Sequence, residues 1–171
     1  MTRKAKIRRY ENYPRSSVLL RNAFEILLYA FGAVILAGFG TWVAVAYLAY
    51  CAAMTVWTMR FRCKYCYYYG KVCPMGMGRI ASRLFKPGDK EEFGRYVKFI
   101  APVFLVWLLP ILGGVVLLFL RFSVMRTVIL ALFVIARFAL SGKVVVQLGC
   151  VRCKQQDDCP AYQTEHDGEK S

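Results

Sequence analysis

Long apolar runs dominate the chain, and short, strongly basic stretches separate them. One run extends from Ile26 to Met59 without a charged residue. A second extends from Phe99 to Leu140, interrupted only by Arg121, Arg126 and Arg137. A helix needs roughly 20 apolar residues to cross a bilayer core of about 30 Å, so both runs qualify and the first is too long for one ordinary span. Gly38-Phe39-Gly40-Thr41 marks a tight turn near its middle. That break predicts helices over Ala23–Gly38 and Thr41–Met59. Arg121-Phe122-Ser123 divides the second run, which predicts Phe99–Leu120 and Val124–Val146.

Charge selects this four-helix reading over one long tilted helix in the first run. Lys and Arg number seven in 1–22, ten in 60–98, two in 121–126, one at Arg137 and four from Lys143 onward. Loops on the cytoplasmic side carry the Lys/Arg excess. Four spans place the arm, the middle loop and the tail inside, with only two short turns outside. The expectation is a multi-pass protein of the cell (inner or plasma) membrane with both termini cytoplasmic. A composition 58% apolar and 15% aromatic, with a net charge of +14, agrees with a membrane setting. The charge reads as topology and as attraction to anionic lipid head groups. Nucleic acid is not expected as a partner, because no groove-reading or base-stacking motif accompanies the charge. The basic stretch Arg3–Arg9 is followed by polar residues and Pro14, unlike a signal peptide.

Six of the seven cysteines form two near-copies of one pattern, each placed just after an apolar run. The first is Cys63-x2-Cys66-x6-Cys73-Pro74 and the second Cys150-x2-Cys153-x5-Cys159-Pro160. The helix over Thr41–Met59 stands to Cys63 as Val128–Val146 stands to Cys150. The predicted fold class is therefore an all-α integral membrane protein: four transmembrane helices as two tandem hairpins, each followed by a cytoplasmic cysteine triad. Halves in the same orientation form a parallel repeat, related by an axis along the membrane normal. Such an axis would bring the two triads together. The stretches are a basic arm (1–22), first hairpin and triad (23–74), linker (75–98), second hairpin and triad (99–160) and a polar tail (161–171).

Within the linker, Met77, Ile80, Ala81 and Leu84 recur at helical spacing, with Arg79, Ser82, Arg83 and Lys86 on the other side. This predicts a short amphipathic helix, stopped by Pro87-Gly88 and suited to the membrane interface or to a partner surface. Arg79, Arg83 and Lys86 are its candidate lipid or partner contacts. Arg137 lies inside the fourth predicted span, where a charge is either functional or snorkels to the interface. Arg21 and Glu25 are four apart and read as a surface ion pair. Tyr67-Tyr68-Tyr69 reads as interfacial anchoring, and Cys51, inside a span, as packing.

Thiols facing a reducing compartment are poor candidates for structural disulfides and good ones for metal or redox chemistry. Positive charge favours thiolate, the metal-binding form, and Arg62, Lys64, Arg152 and Lys154 flank the pairs. The count leaves three arrangements open. Cys63, Cys66, Cys150 and Cys153 close one four-thiolate site; all six hold two metals with shared sulfurs; or His166, the only histidine, completes Cys150, Cys153 and Cys159. Six thiols with one histidine favour an iron–sulfur cluster over zinc, and Met75 and Met77 add copper(I) as a softer option.

The stretch Gly70-Lys71-Val72-Cys73-Pro74-Met75-Gly76 resembles membrane-bound ferredoxin-like proteins that accompany nitrate and nitrous-oxide reductases. Those proteins carry a C-x-x-x-C-P-hydrophobic-Gly stretch after a transmembrane helix. The resemblance covers about ten residues. Tyr69 stands where the pattern has its earlier cysteine, and Cys66 lies three positions before that. It implies Cys73 as a cluster ligand and Cys66 by analogy.

No nucleophile–base set or phosphate-binding glycine motif is present, so an independent enzyme is not expected. The leading expectation is a small membrane metalloprotein, an iron–sulfur electron-transfer or accessory subunit working with other subunits of a membrane-associated redox complex. The alternatives are a zinc-stapled adaptor or assembly factor, and a handler or transporter of soft metal.

Overall fold

A computed structural model describes residues 9–140, 147–156 and 159, and the described residues form helices and turns without a strand. Helix α1 (Arg15–Leu36) ends in a single 3-10 turn over Ala37–Phe39, and α2 (Thr41–Phe61) follows directly. The reversal occurs at Gly40, whose φ of 141° lies in a region that side chains with a Cβ rarely enter. Helix α1 begins eight residues before the expected Ala23. Pro14, at φ −63°, stands just ahead of its first turn, and the polar Arg15-Ser16-Ser17 continues the helix towards it.

Beyond the first cysteine triad comes α3 (Met77–Leu84), then the short α4 (Phe93–Tyr96), a 3-10 stretch over Val97–Phe104, and α5 (Leu105–Leu120). The α-helical part of the third span starts later than the predicted Phe99. Pro102 lies in the intervening stretch and cannot donate an amide to a helical ladder. Helix α6 (Val124–Ile135) starts where expected after Arg121–Ser123, and one π turn continues it over Ala136–Leu140. The predicted continuation over 141–146 lies outside the described residues.

Among the described residues, three helical stretches are long and apolar enough to cross a membrane: Arg15–Phe39, Thr41–Tyr65 and Ala101–Leu120. Helix α1 is central and packs on α2, α5 and α6. Leu28 and Ile35 meet Leu130 and Phe133, while Leu36 joins Tyr47, Cys51 and Val106 in a second buried cluster. A Cβ on Gly32 would stand 2.6 Å from the Tyr47 hydroxyl and 3.0 Å from Pro110 Cγ, so glycine permits this approach of α1 to both partners. The outward faces remain apolar; Trp42 and Phe119 are 86% and 87% exposed. An apolar exterior on helices of this length suits lipid as the surrounding medium.

Candidate metal centre

The two C-x-x-C segments adopt nearly the same backbone conformation. After α2, Arg62 (φ −126°, ψ −54°) leads into a 3-10 turn over Cys63–Tyr65, and Cys66 is extended at φ −80°, ψ 150°. After residues 147–148, Gly149 (φ −120°, ψ −69°) leads into a turn over Cys150–Arg152, and Cys153 is extended at φ −81°, ψ 134°. The amide of Cys66 donates to Cys63 O at 3.3 Å, and that of Cys153 to Cys150 O at 3.1 Å. Each turn thereby brings its paired cysteines onto one bend of the chain.

The third cysteine of each triad returns through a further bend. Tyr69 N donates to Cys66 O and Lys71 N to Tyr68 O, both at 3.0 Å, and Gly76 N closes on Cys73 O at 2.9 Å. Cys159 N donates to Gln156 O at 3.3 Å. Helix α3 presses on the first loop. Gly70 N donates to Gly78 O, and a Cβ on Gly78 would stand 2.2 Å from Tyr68 O and 2.5 Å from Lys71 O. The lack of a side chain at Gly78 is what lets the helix and the loop touch.

All six cysteines of the two triads line a single cavity of about 200 Å³. None of the chain's cysteines is in a disulfide. Among the described residues, no three Cys, His, Asp or Glu side chains are close enough to share one ion. The thiols therefore surround a common space without converging on one point. His166 lies outside the described residues. Cys51 lies away from the cavity, in the Leu36–Tyr47–Val106 cluster, in keeping with a packing role.

Tyrosines hold the second triad against the first. Tyr68, 1% exposed, donates through its hydroxyl to Tyr10 O at 2.7 Å and accepts from Lys154 N at 3.1 Å. Tyr13 donates to Gly149 O, and Tyr67 N donates to Gln155 Oε1 at 2.8 Å. Tyr69 donates to Phe85 O at 2.6 Å, tying the loop to the end of α3. The tyrosine run thus braces the two loops, where its sequence suggested interfacial anchoring.

Burial pushes the thiols of Cys66 and Cys150 up, and that of Cys153 up to about 11. The guanidinium of Arg62 opposes this at all three, and Arg21 does so at Cys150. Arg62 Nη2 also donates to Cys159 Sγ at 3.5 Å. Of the four cations expected to favour thiolate, three lie against aromatic rings: Lys64 over Tyr65 at 4.6 Å, Arg152 over Tyr10 at 5.1 Å and Lys154 over Tyr67 at 5.2 Å. Arg62 lines the cavity, and so does Arg21 from α1.

Arg21 is the residue that sequence reasoning misplaced. It is 8% exposed and belongs to the cavity wall, not to a surface ion pair. A signal existed: it falls on the same face of α1 as Leu28, Gly32 and Ile35, all buried. Arg137 is half-buried with its guanidinium 4.4 Å from the Trp107 ring, and it interacts electrostatically with Glu25. Arg79, Arg83 and Lys86 are exposed on and just after α3. Ile80 and Leu84 on that helix are also exposed, at 50% and 58%, while Ala81 is buried against the protein.

Neither a protein-family model, nor a curated protein, nor a solved structure matches this chain.

Proposed function

We propose that the cavity holds a multinuclear iron–sulfur centre, ligated by thiols from both cysteine triads, at the cytoplasmic end of a four-span membrane protein. The single observation that carries this reading is that all six patterned cysteines, from stretches 87 residues apart in sequence, line one cavity. Among the described residues, the donor set lining the cavity is six cysteines without a histidine, and iron–sulfur clusters are held by such thiolates. Cys63, Cys66, Cys150 and Cys153 are the central ligands in this reading, with Cys73 and Cys159 completing the set. Bound there, such a cluster supplies one-electron transfer. The chain's own residues bury the site, hold the two loops together through Tyr13, Tyr67 and Tyr68, and place Arg62 and Arg21 beside the sulfurs.

The matched C-x-x-C turns support a duplicated hairpin, with α6 continuing into a fourth span. The lysine and arginine excess supports a cytoplasmic side for the loops and both termini. Exposed Arg79, Arg83 and Lys86, with Ile80 and Leu84, suit anionic lipid head groups at that face. The protein then works as an electron-transfer or accessory subunit, passing electrons between a soluble partner and other subunits in the membrane. The ferredoxin-like resemblance around Cys73 points the same way.

A zinc staple is the second reading. The matched geometry of the two C-x-x-C turns favours it, since four cysteines in two such turns are a common zinc ligand set. Metal and sulfide analysis of anaerobically purified protein, with electron-paramagnetic spectra, separates the two. Iron with acid-labile sulfide and a reduced-state signal supports the cluster; colourless protein with stoichiometric zinc refutes it.

A further inference from the structure

Arg21 stands out among the residues around the cavity because a guanidinium is costly to bury. It is more than nine-tenths buried, and its Nε has no hydrogen-bond partner. It interacts electrostatically with Cys150, Cys73, Arg62 and Glu25. Glu25, one turn further along α1, does not neutralise it alone, because Glu25 is shared with Arg137. Glu25 Oε2 is likewise buried without a hydrogen-bond partner. The cavity wall therefore carries two cations, Arg21 and Arg62, beside the six thiols.

We infer that Arg21 is the built-in counter-charge for an anionic metal–thiolate centre, and that it favours the more negative state of that centre. This rests on the metal–thiolate reading above. When protonated thiols bind a divalent metal, protons leave and the site becomes negative. A fixed buried cation stabilises that product and does little for the neutral thiols. When an iron–sulfur centre accepts one electron, it becomes more negative again, and the same cation favours the reduced form. Arg21 acts through charge, so lysine replaces it and glutamine does not. Glu25 draws on the charge of Arg21, so its neutralisation acts in the opposite direction.

The test uses the full chain in detergent, as wild type, Arg21→Gln, Arg21→Lys and Glu25→Gln. In a redox titration of the iron-loaded protein, Arg21→Gln should lower the reduced-to-oxidised ratio at fixed potential about tenfold, equivalent to about 59 mV for one electron. Arg21→Lys should recover most of that, and Glu25→Gln should raise the ratio. A merely structural role would not reverse sign between neighbours one turn apart. Cobalt(II) alone, titrated into metal-free protein and followed by thiolate charge-transfer absorbance, tests the counter-charge even if the native metal is zinc. There Arg21→Gln should weaken binding about tenfold relative to both wild type and Arg21→Lys. Unchanged cobalt affinity with an unchanged potential overturns the inference while leaving the metal site standing. A wild-type chain that binds neither iron nor cobalt overturns both. If Arg21→Gln fails to fold, Glu25→Gln decides alone, and an unshifted or lowered ratio overturns the inference.

Discussion

Gly78 and Tyr68 are single residues on which the geometry of the first triad depends. Any side chain at Gly78 meets two backbone carbonyls of the loop at under 3 Å, and backbone cannot swing aside as a long side chain can. Gly78→Ala should destabilise the protein by roughly 1–3 kcal/mol, as overpacking does, and lower its metal content. Gly94→Ala, where a Cβ meets nothing within 4 Å, is the control and should lie within about 0.5 kcal/mol of wild type. Thermal unfolding in detergent reads both. Equal effects of the two substitutions would contradict the close approach of α3. Tyr68→Phe removes a buried hydroxyl that serves Tyr10 O and Lys154 N. Its loss leaves both without that partner and should cost about 1–3 kcal/mol.

At the scale of elements, the cysteine turns link stability to pH. Burial raises the thiols of Cys66, Cys150 and Cys153 above the ~8.5 of an unfolded chain. As pH climbs past that value the unfolded state releases protons that the fold retains, so the metal-free fold loses stability towards the 11 or so of Cys153. The melting temperature of metal-free protein should therefore fall between pH 8.5 and 11. Metal-loaded protein, whose ligands are already deprotonated, should fall less. Identical slopes would count against the thiols as ligands. The reversal between α1 and α2 at Gly40 and the break between α5 and α6 at Arg121–Ser123 were legible because local chemistry writes them: a glycine at positive φ, and a charge between apolar runs. The early start of α1 was not, since Arg15-Ser16-Ser17 is helical without being apolar. The cysteine loops were legible from spacing. Their bracing was not, because Tyr10 and Tyr13 reach it from more than 130 residues away in sequence. Arg21 escaped for a different reason: charge marks a surface, and here its position on the buried face of α1 outweighs the charge.

For the whole molecule, the proposed topology has the loop after α3 and the turn between α5 and α6 on opposite sides of the membrane, with the candidate span Ala101–Leu120 between them. Single cysteines introduced at Lys86 and Phe122, both exposed, should react with an impermeant maleimide from opposite faces of sealed vesicles. Labelling from the same face would contradict the topology. In the proposed function, both halves of the chain build one centre. Two separate triads would each hold their own metal, whereas a shared cavity depends on both. The direct measurement is iron and acid-labile sulfide per chain in anaerobically purified Cys63→Ser and Cys150→Ser proteins, compared with wild type. Either substitution alone should abolish essentially all cluster iron and the reduced-state paramagnetic signal. Retention of half the iron in each variant, with an intact signal from the untouched triad, would contradict it.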